Sequence, residues 1–386
     1  MGSLRGFVTR KLFGLMDIGE LAASLRESGY VTMSGEQVSV ESAQRLFAVY
    51  ACVNVLAETI ATLPLKLYRT DRDGNREVVK DHAFAKTLKK PNPTDTPFEF
   101  FERVIWHLAL RGKFFAIKVR VFGEVHDLLP VSNPDLVTVV DTADHGYEFI
   151  IDGKRYSQDE VLYLIVHDGK SVIRYQADTL GKNQAINRYG SAFFRNGAMP
   201  GLVIRNPNKF KDEGAFKQFK KRWEDTYGSA RNGNKVAILD DGKTIEKISL
   251  TNEDSQFLDT NKYSDSQIAG LFRVPVYMIG NYDKATFSNI ENLGQQFARF
   301  TIAPWCRRIE SAVTLQCLQD PSLYGEFLID SLERGNLLSR YQAYKVGRDS
   351  GFLSANEIRR KENMNPYEGG DEFLKPMNNE TAGTGD

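Results

Sequence analysis

Few side chains here are grouped as a reaction would need them. His167 and Asp168 stand side by side at the end of an apolar run. Such a pair can relay a proton or begin a metal site, but no second histidine lies at ligand spacing, and a loop-edge role is the simpler reading. The cysteines Cys52, Cys306 and Cys317 contain no C-x-x-C pair. They suggest neither a zinc site nor a disulfide framework, and fit a reducing site of folding. Neither G-x-x-x-x-G-K-[ST] nor G-x-S-x-G occurs, so P-loop ATP chemistry and the serine-hydrolase elbow find no support, and GNYDKAT at 280–286 is not a phosphate loop. No catalytic residue, metal or cofactor is expected, and the chain is not expected to be an enzyme.

Charge is the next property able to select a partner. The 386 residues carry 50 Lys/Arg and 50 Asp/Glu, a formal net charge of zero, so attraction through the field of the whole molecule is not indicated. Lys182 to Lys235 is the exception, with twelve basic against four acidic residues, a local net of +8. Inside it Lys217, Lys220, Lys221 and Arg222 alternate with Phe216, Phe219 and Trp223. Clustered cations displace counterions from a polyanion; equally, the aromatics can face a small core with the lysines as its wet surface.

The elements that must position these residues follow from periodicity. At 41% hydrophobic residues the length suggests two or three domains. The start has no secretory signal pattern. Residues 1–40 read as a flexible arm, with order from Glu41. From Ser42 to Thr62 apolar residues recur at three and four, placing Leu46, Val49, Tyr50, Val53, Leu56, Ala57 and Ile60 on one helix face. Asn54, Glu58 and Pro64 argue against a membrane span there, and no membrane association is expected. A strand at Pro64–Arg69, a helix at Pro97–Arg111 and strands at Phe114–Arg120, Leu136–Val140, Tyr147–Ile151 and Val161–Val166 make 41–170 an α+β domain. Two mostly polar helical stretches follow, 171–199 and 252–273. An insert at 200–251 separates them, with a strand at Leu202–Arg205, a helix at Lys211–Tyr227 and a strand at Val236–Leu239. Beyond lie a strand at Glu326–Asp330, helices over 336–376 and an acidic tail at 377–386 expected to be disordered.

The stretch Ala285–Glu310, ATFSNIENLGQQFARFTIAPWCRRIE, is the most individual in the chain. Thr286 or Ser288 can cap its helix, and Ser288 with Glu291 fits a capping box. Ile290, Leu293, Phe297 and Phe300 form the expected buried stripe. Pro304 should bend or restart the helix, with Trp305 packed at the bend. Arg307, Arg308 and Glu310 offer ion pairs, between chains or on an ordinary surface.

This stretch, with RLFAVYACVNVLAETIATLPLKLY, SVIRY, FFRNGAMPGLVI, VPVYMIGNYDKATFSNIEN and GFLSANEIRRKENMNPYEGGDEFLKP in the same order, resembles the portal proteins of tailed bacteriophages, in the lambdoid (HK97-type) branch. The resemblance implies a multidomain portal fold that assembles into a ring, usually of twelve copies. It would have a wing from 41–170 and 291–335, stem helices at 171–199 and 252–273 and a clip at 200–251. A channel (tunnel) loop region would cover 274–290 and a crown 336–376. Implied partners are other copies of the chain, the terminase large subunit, major capsid and scaffold proteins, head-completion or adaptor proteins, and double-stranded DNA in the bore. The implied location is a capsid vertex of the virion, after assembly in the host bacterial cytoplasm. Candidates near the DNA path are Asn281, Asp283, Lys284 and Asn289; for docking, Lys217, Lys220, Lys221, Arg222 and Trp223; for subunit contact, Trp305, Arg307, Arg308 and Glu310. Only DGK separates His167 from SVIRY, where such portals usually carry a longer loop. The competing readings are a DNA-processing enzyme with a basic accessory domain and a non-viral ring scaffold.

Overall fold

The computed structural model describes residues 29–195, 202–205, 212–227, 244–247, 253–282, 287–329, 332, 337–362 and 364–374. They belong to two units, one of 1–284 with 304–327 and one of 285–303 with 328–386.

In the first unit, order begins before Glu41. Strands β1 (Tyr30–Val31) and β2 (Gln37–Val38) form a hairpin, within which the Thr32 hydroxyl donates to the Glu36 carbonyl at 2.8 Å. The helix expected over Ser42–Thr62 is two, α1 (Val40–Gln44) and α2 (Phe47–Ala61), parted where Leu46 takes an extended conformation. Val49, Val53, Leu56, Ala57 and Ile60 are buried as expected, whereas Tyr50 is half-exposed at the rim.

Strands β3 (Leu65–Thr70) and β4 (Arg76–Val78) pair across a turn in which the Asp71 carboxylate accepts from the Asp73 and Asn75 amides. Helix α3 (Ala83–Lys89) follows, then α4 (Pro97–Arg111), whose ends were legible in the sequence. Thr96 and Glu99 form a capping box, Pro97 opens the first turn, and Gly112 closes the helix at φ 75°. Its buried Phe100, Phe101, Val104, Ile105 and Leu108 each contribute about 1.5–3 kcal/mol by leaving water.

Strands β5 (Lys113–Val121) and β6 (Glu124–Pro130) continue the chain, then β7 (Thr138–Asp141), β8 (Tyr147–Ile151), β9 (Lys154–Ser157) and β10 (Val161–Ile165). They form two three-stranded antiparallel sheets, β10-β5-β6 and β7-β8-β9. The strand expected from Leu136 starts only at Thr138, because Pro134–Leu136 is a 3-10 turn fixed by the Asn133 side chain. A core of Phe115, Val137, Phe149, Ile151 and Val161 joins the two sheets.

Helices α5 (Val172–Tyr175) and α6 (Ala177–Arg195) lead to β11 (Leu202–Arg205), α7 (Glu213–Tyr227), β12 (Thr244–Lys247) and α8 (Glu253–Phe272). β11 pairs antiparallel with β12, a strand not anticipated; Val236–Leu239 lies outside the described residues. Helix α9 (Phe287–Phe297) and the π turn after it (Ala298–Ile302) fall in the second unit; α10 (Ala303–Cys317) returns the chain to the first, where β13 (Leu323–Phe327) adds to the β3 side of β3-β4.

The π turn bears on two expectations. The regular α-helix resumes at Ala303, so Pro304 stands in the first turn of α10, where the widened turn just ahead of it accommodates a residue without an N–H and with a ring that crowds the preceding turn. The widened turn also rotates Phe300 off the stripe. Phe300 is 60% exposed, while Phe297, Ala298, Thr301 and Ile302 are buried. Ser288 lies inside α9, which begins at Phe287, so it does not occupy the capping position; Thr286 is outside the described residues.

In the second unit, α11 (Leu337–Asp349) and α12 (Ala355–Lys361) are linked by Glu362, which meets the Arg340 guanidinium at 2.7 Å and accepts from the Tyr344 hydroxyl at 2.9 Å. Buried Asn356 donates to the Tyr367 carbonyl and the Asp371 carboxylate and accepts from the Tyr367 amide, pinning the segment that follows.

Candidate channel and docking surfaces

The two polar helices α6 and α8 pack on each other, and the pairing is specified by polar groups. The Ser264 hydroxyl donates to the Asn183 side-chain oxygen, both residues are buried, and the Asn183 amide is spent on the Thr179 carbonyl at 2.9 Å. A buried hydrogen bond between the two helices favours one register over slipped alternatives. The opposite margin of α6 holds the N-terminal hairpin: Arg188 pairs with the buried Glu36, and the Met33 amide donates to Asp178 at 2.9 Å. Gly181 permits this, since a Cβ there would stand 2.4 Å from the Thr32 hydroxyl oxygen. Residues 29–39 are therefore part of the folded body, which moves the boundary of the expected arm.

The sequence-predicted docking cations lie on α7. Lys217, Lys220, Lys221 and Arg222 are exposed, and Lys217 meets Glu213 one turn earlier at 2.8 Å. Phe216 and Phe219 lie one turn apart, the first 46% exposed; the Trp223 side chain lies outside the described residues.

Of the channel candidates, Asn281 follows a 3-10 turn (Val276–Ile279) closed by Gly280 at φ 92°, and its amide donates to the Val276 carbonyl at 3.1 Å. Asp283 and Lys284 are outside the described residues; Asn289 lies on α9, with its side chain outside them. The polar face of α9 presents Asn292, Gln295 and Gln296, joined by Arg299 and Phe300 in a surface recess of about 610 Å³. Arg299, its guanidinium 5.6 Å from the Phe300 ring centre, was missed in the sequence, although it stands four residues after Gln295.

The subunit-contact candidates divide. Arg308 lies over the Trp305 ring at 5.1 Å and, with Arg307 and the 80% exposed Leu315, lines a groove of about 820 Å³ beside Tyr147 and Tyr163. Glu310 faces inward instead: its side chain is 5% exposed, accepts from the Phe327 amide at 2.8 Å and meets Arg307 at 2.9 Å. It ties α10 to β13, and its carboxylate is spent within the chain. Behind the groove the Gln316 side chain receives the Tyr163 N–H and donates to the Tyr163 carbonyl, imitating a neighbouring strand along the edge of β10. Burial holds the Lys118 ammonium below the usual lysine range, and its Nζ donates to the Gln316 carbonyl in the last turn of α10, where a cation complements the helix dipole.

The short link after β10 is a left-handed turn, with φ of 49°, 57° and 70° at His167, Asp168 and Gly169. No group of three His, Cys, Asp or Glu able to hold a metal occurs among the described residues. All three cysteines are buried, and burial pushes each thiol up to about 12.

The phage portal protein family profile matches residues 47–363. The chain belongs to the phage portal protein family. It is 28% identical to the probable portal protein of Streptomyces phage phiC31 over 381 residues, covering 92% of this chain and 83% of that protein. Against the portal protein of Enterobacteria phage HK97 the identity is 27% over 372 residues, covering 92% and 87%. Among solved structures, the fold is shared with an HK97 family phage portal protein from Corynebacterium diphtheriae, at TM-score 0.57 and 15% identity over 77% of this chain and 98% of that one. A chain from the neck of an empty gene transfer agent particle aligns at TM-score 0.61 and 21% identity, over 91% and 100%. As a member of this family, the chain carries its mixed α+β fold from α2 onward.

Proposed function

We propose that this portal family chain works as a ring of identical copies at one vertex of a phage capsid, through which double-stranded DNA is packaged and later ejected. The family match over residues 47–363 carries the reading. The architecture supports it. An αβ insert between two helices joined by a buried polar bond has little purpose in a lone globule, and a clear one if the helices line a bore and the insert hangs below it. A homologous neck is described with C12 symmetry, which favours twelve copies here.

In this reading 41–170 and 291–335 form the wing, α6 and α8 the stem, 200–251 the clip and 336–376 the crown. The hairpin at 29–39 buttresses the stem. The channel segment spans 274–290, with Asn281, Asp283, Lys284 and Asn289 nearest the DNA, and Arg299 joins that set. Lys217, Lys220, Lys221 and Arg222, with Trp223, form the surface for the terminase large subunit and then for head-completion proteins. Trp305, Arg307 and Arg308 line a subunit contact; capsid and scaffold proteins surround the wing. Guidance of DNA is passive, ATP hydrolysis belongs to the motor, and the protein is a virion component assembled in the host cytoplasm. No helix among the described residues is long and apolar enough to cross a membrane.

The test is end-on electron microscopy and mass measurement of the purified chain. Closed rings with a central hole are expected; a monomer under every assembly condition would overturn the reading. Neutralising the four α7 cations together should weaken terminase binding and leave the ring intact, and unchanged binding removes the docking role.

A further inference from the structure

The β5–β6 hairpin turns on Phe122 and Gly123, with φ of 51° and 87°, and Val121 pairs with Glu124 across it. A two-residue turn with both central φ positive suits Asn-Gly, and a phenylalanine in the first place bears a steric penalty that asparagine or glycine largely avoids. The same residue has its ring wholly in water, at 103% relative exposure, with Val121 beside it at 45%. Strain and exposure thus fall on one side chain, and neither gains anything inside the chain.

Toward the other end of the same layer lies a matching surface. Chain direction reverses at Gly112, so the tip of β5 is roughly 27 Å along the strand from that reversal. Near the reversal Arg111 pairs with Glu41 at 3.2 Å, tying the end of α4 to α1, the short helix directly ahead of α2. There Phe47 and Tyr50, one helical turn apart, are 65% and 51% exposed, and Tyr50 packs edge-on to Trp106 at 5.7 Å. A knob at one end of a unit and an aromatic patch toward the other have the arrangement that a head-to-tail contact requires. Between identical chains such a contact repeats, and it closes into a ring when the rotation allows.

We propose that the Phe122 tip of one copy seats on the Phe47–Tyr50–Trp106 patch of the next copy. The inference rests on the ring reading above. One phenylalanine buries about 150–250 Å², well short of the ~1,000 Å² of a specific interface, so the tip is an anchor within a larger contact. An aromatic side chain fitted to a desolvated spot is where truncation costs most.

Phe122→Asn separates docking from folding, because Asn-Gly is the better turn. The variant should unfold at an equal or higher urea concentration, while the fraction of chains in rings at a fixed subunit concentration falls at least tenfold by light scattering. Phe47→Ala with Tyr50→Ala should cause a similar loss of rings. In otherwise wild-type rings, p-benzoylphenylalanine at position 122 should photo-crosslink to the peptide containing Phe47 and Tyr50 of another copy. Rings of Phe122→Asn at wild-type concentrations, or adducts only elsewhere, overturn the contact and leave the portal reading standing. A wild-type chain that never forms rings overturns the portal reading and takes this contact with it.

Discussion

Glu310 offers the sharpest test of how α10 is held against β13. Its carboxylate joins two different partners: the N–H of Phe327, which is 3% exposed, and the guanidinium of Arg307, whose side chain is 68% exposed. The two bonds should differ in worth. Glu310→Ala leaves the Phe327 amide buried without an acceptor, a penalty of about 1–3 kcal/mol. Glu310→Gln keeps an oxygen for that amide and loses only the attraction to a well-solvated arginine, about 0–1 kcal/mol. Urea unfolding of the monomeric chain, followed by tryptophan fluorescence, should therefore rank wild type and Glu310→Gln together, with Glu310→Ala clearly below. Because the side chain faces β13, Glu310→Gln should also form rings at wild-type concentrations. Equal loss from both variants would show the Arg307 pair to be the dominant bond. A loss of rings with unchanged stability would show that Glu310 reaches a neighbouring copy after all.

Two further outcomes follow from buried groups. Burial, reinforced by the nearby Arg111 and Arg103 cations, pushes the His107 imidazole down to about 4. The folded chain thus holds it neutral while the unfolded chain protonates near 6.5; the corresponding stability is complete above that value and drains away as pH falls toward 4, by about 3 kcal/mol in all. His107→Leu should flatten that part of the pH–stability curve measured by urea unfolding, and an unchanged slope would contradict the assignment. At Gly112, φ is 75° and a Cβ would stand 2.7 Å from the Lys170 carbonyl carbon, a backbone atom unable to swing aside. Gly112→Ala should cost about 2–4 kcal/mol in thermal or urea melts. Gly35→Ala, at φ 77° in open space, should cost about 1 kcal/mol; equal losses would remove the close-approach argument.

How much was readable beforehand depended on the range of the interaction. Thr96, Glu99, Pro97 and Gly112 write both ends of α4 into consecutive residues, because capping bonds span three or four positions. The order of family segments was equally visible and was enough to imply the portal fold, which the family match then established. Local pattern failed where a distant contact competed. The hairpin at 30–38 lacks a strong strand signal and is held by Asp178 and Arg188 of α6, about 150 residues away. Phe300 fits an α-helical stripe perfectly well on paper, but the π turn that accommodates Pro304 changes the period. Composition and spacing by themselves determined the type of most elements, the polar character of the two long helices and the absence of known catalytic motifs. Only the tertiary structure decided that Glu310 turns inward, that Gln316 guards the edge of β10 and that Phe122 is left in water. A charge or ring takes its role from what the rest of the chain brings within about 3–4 Å of it.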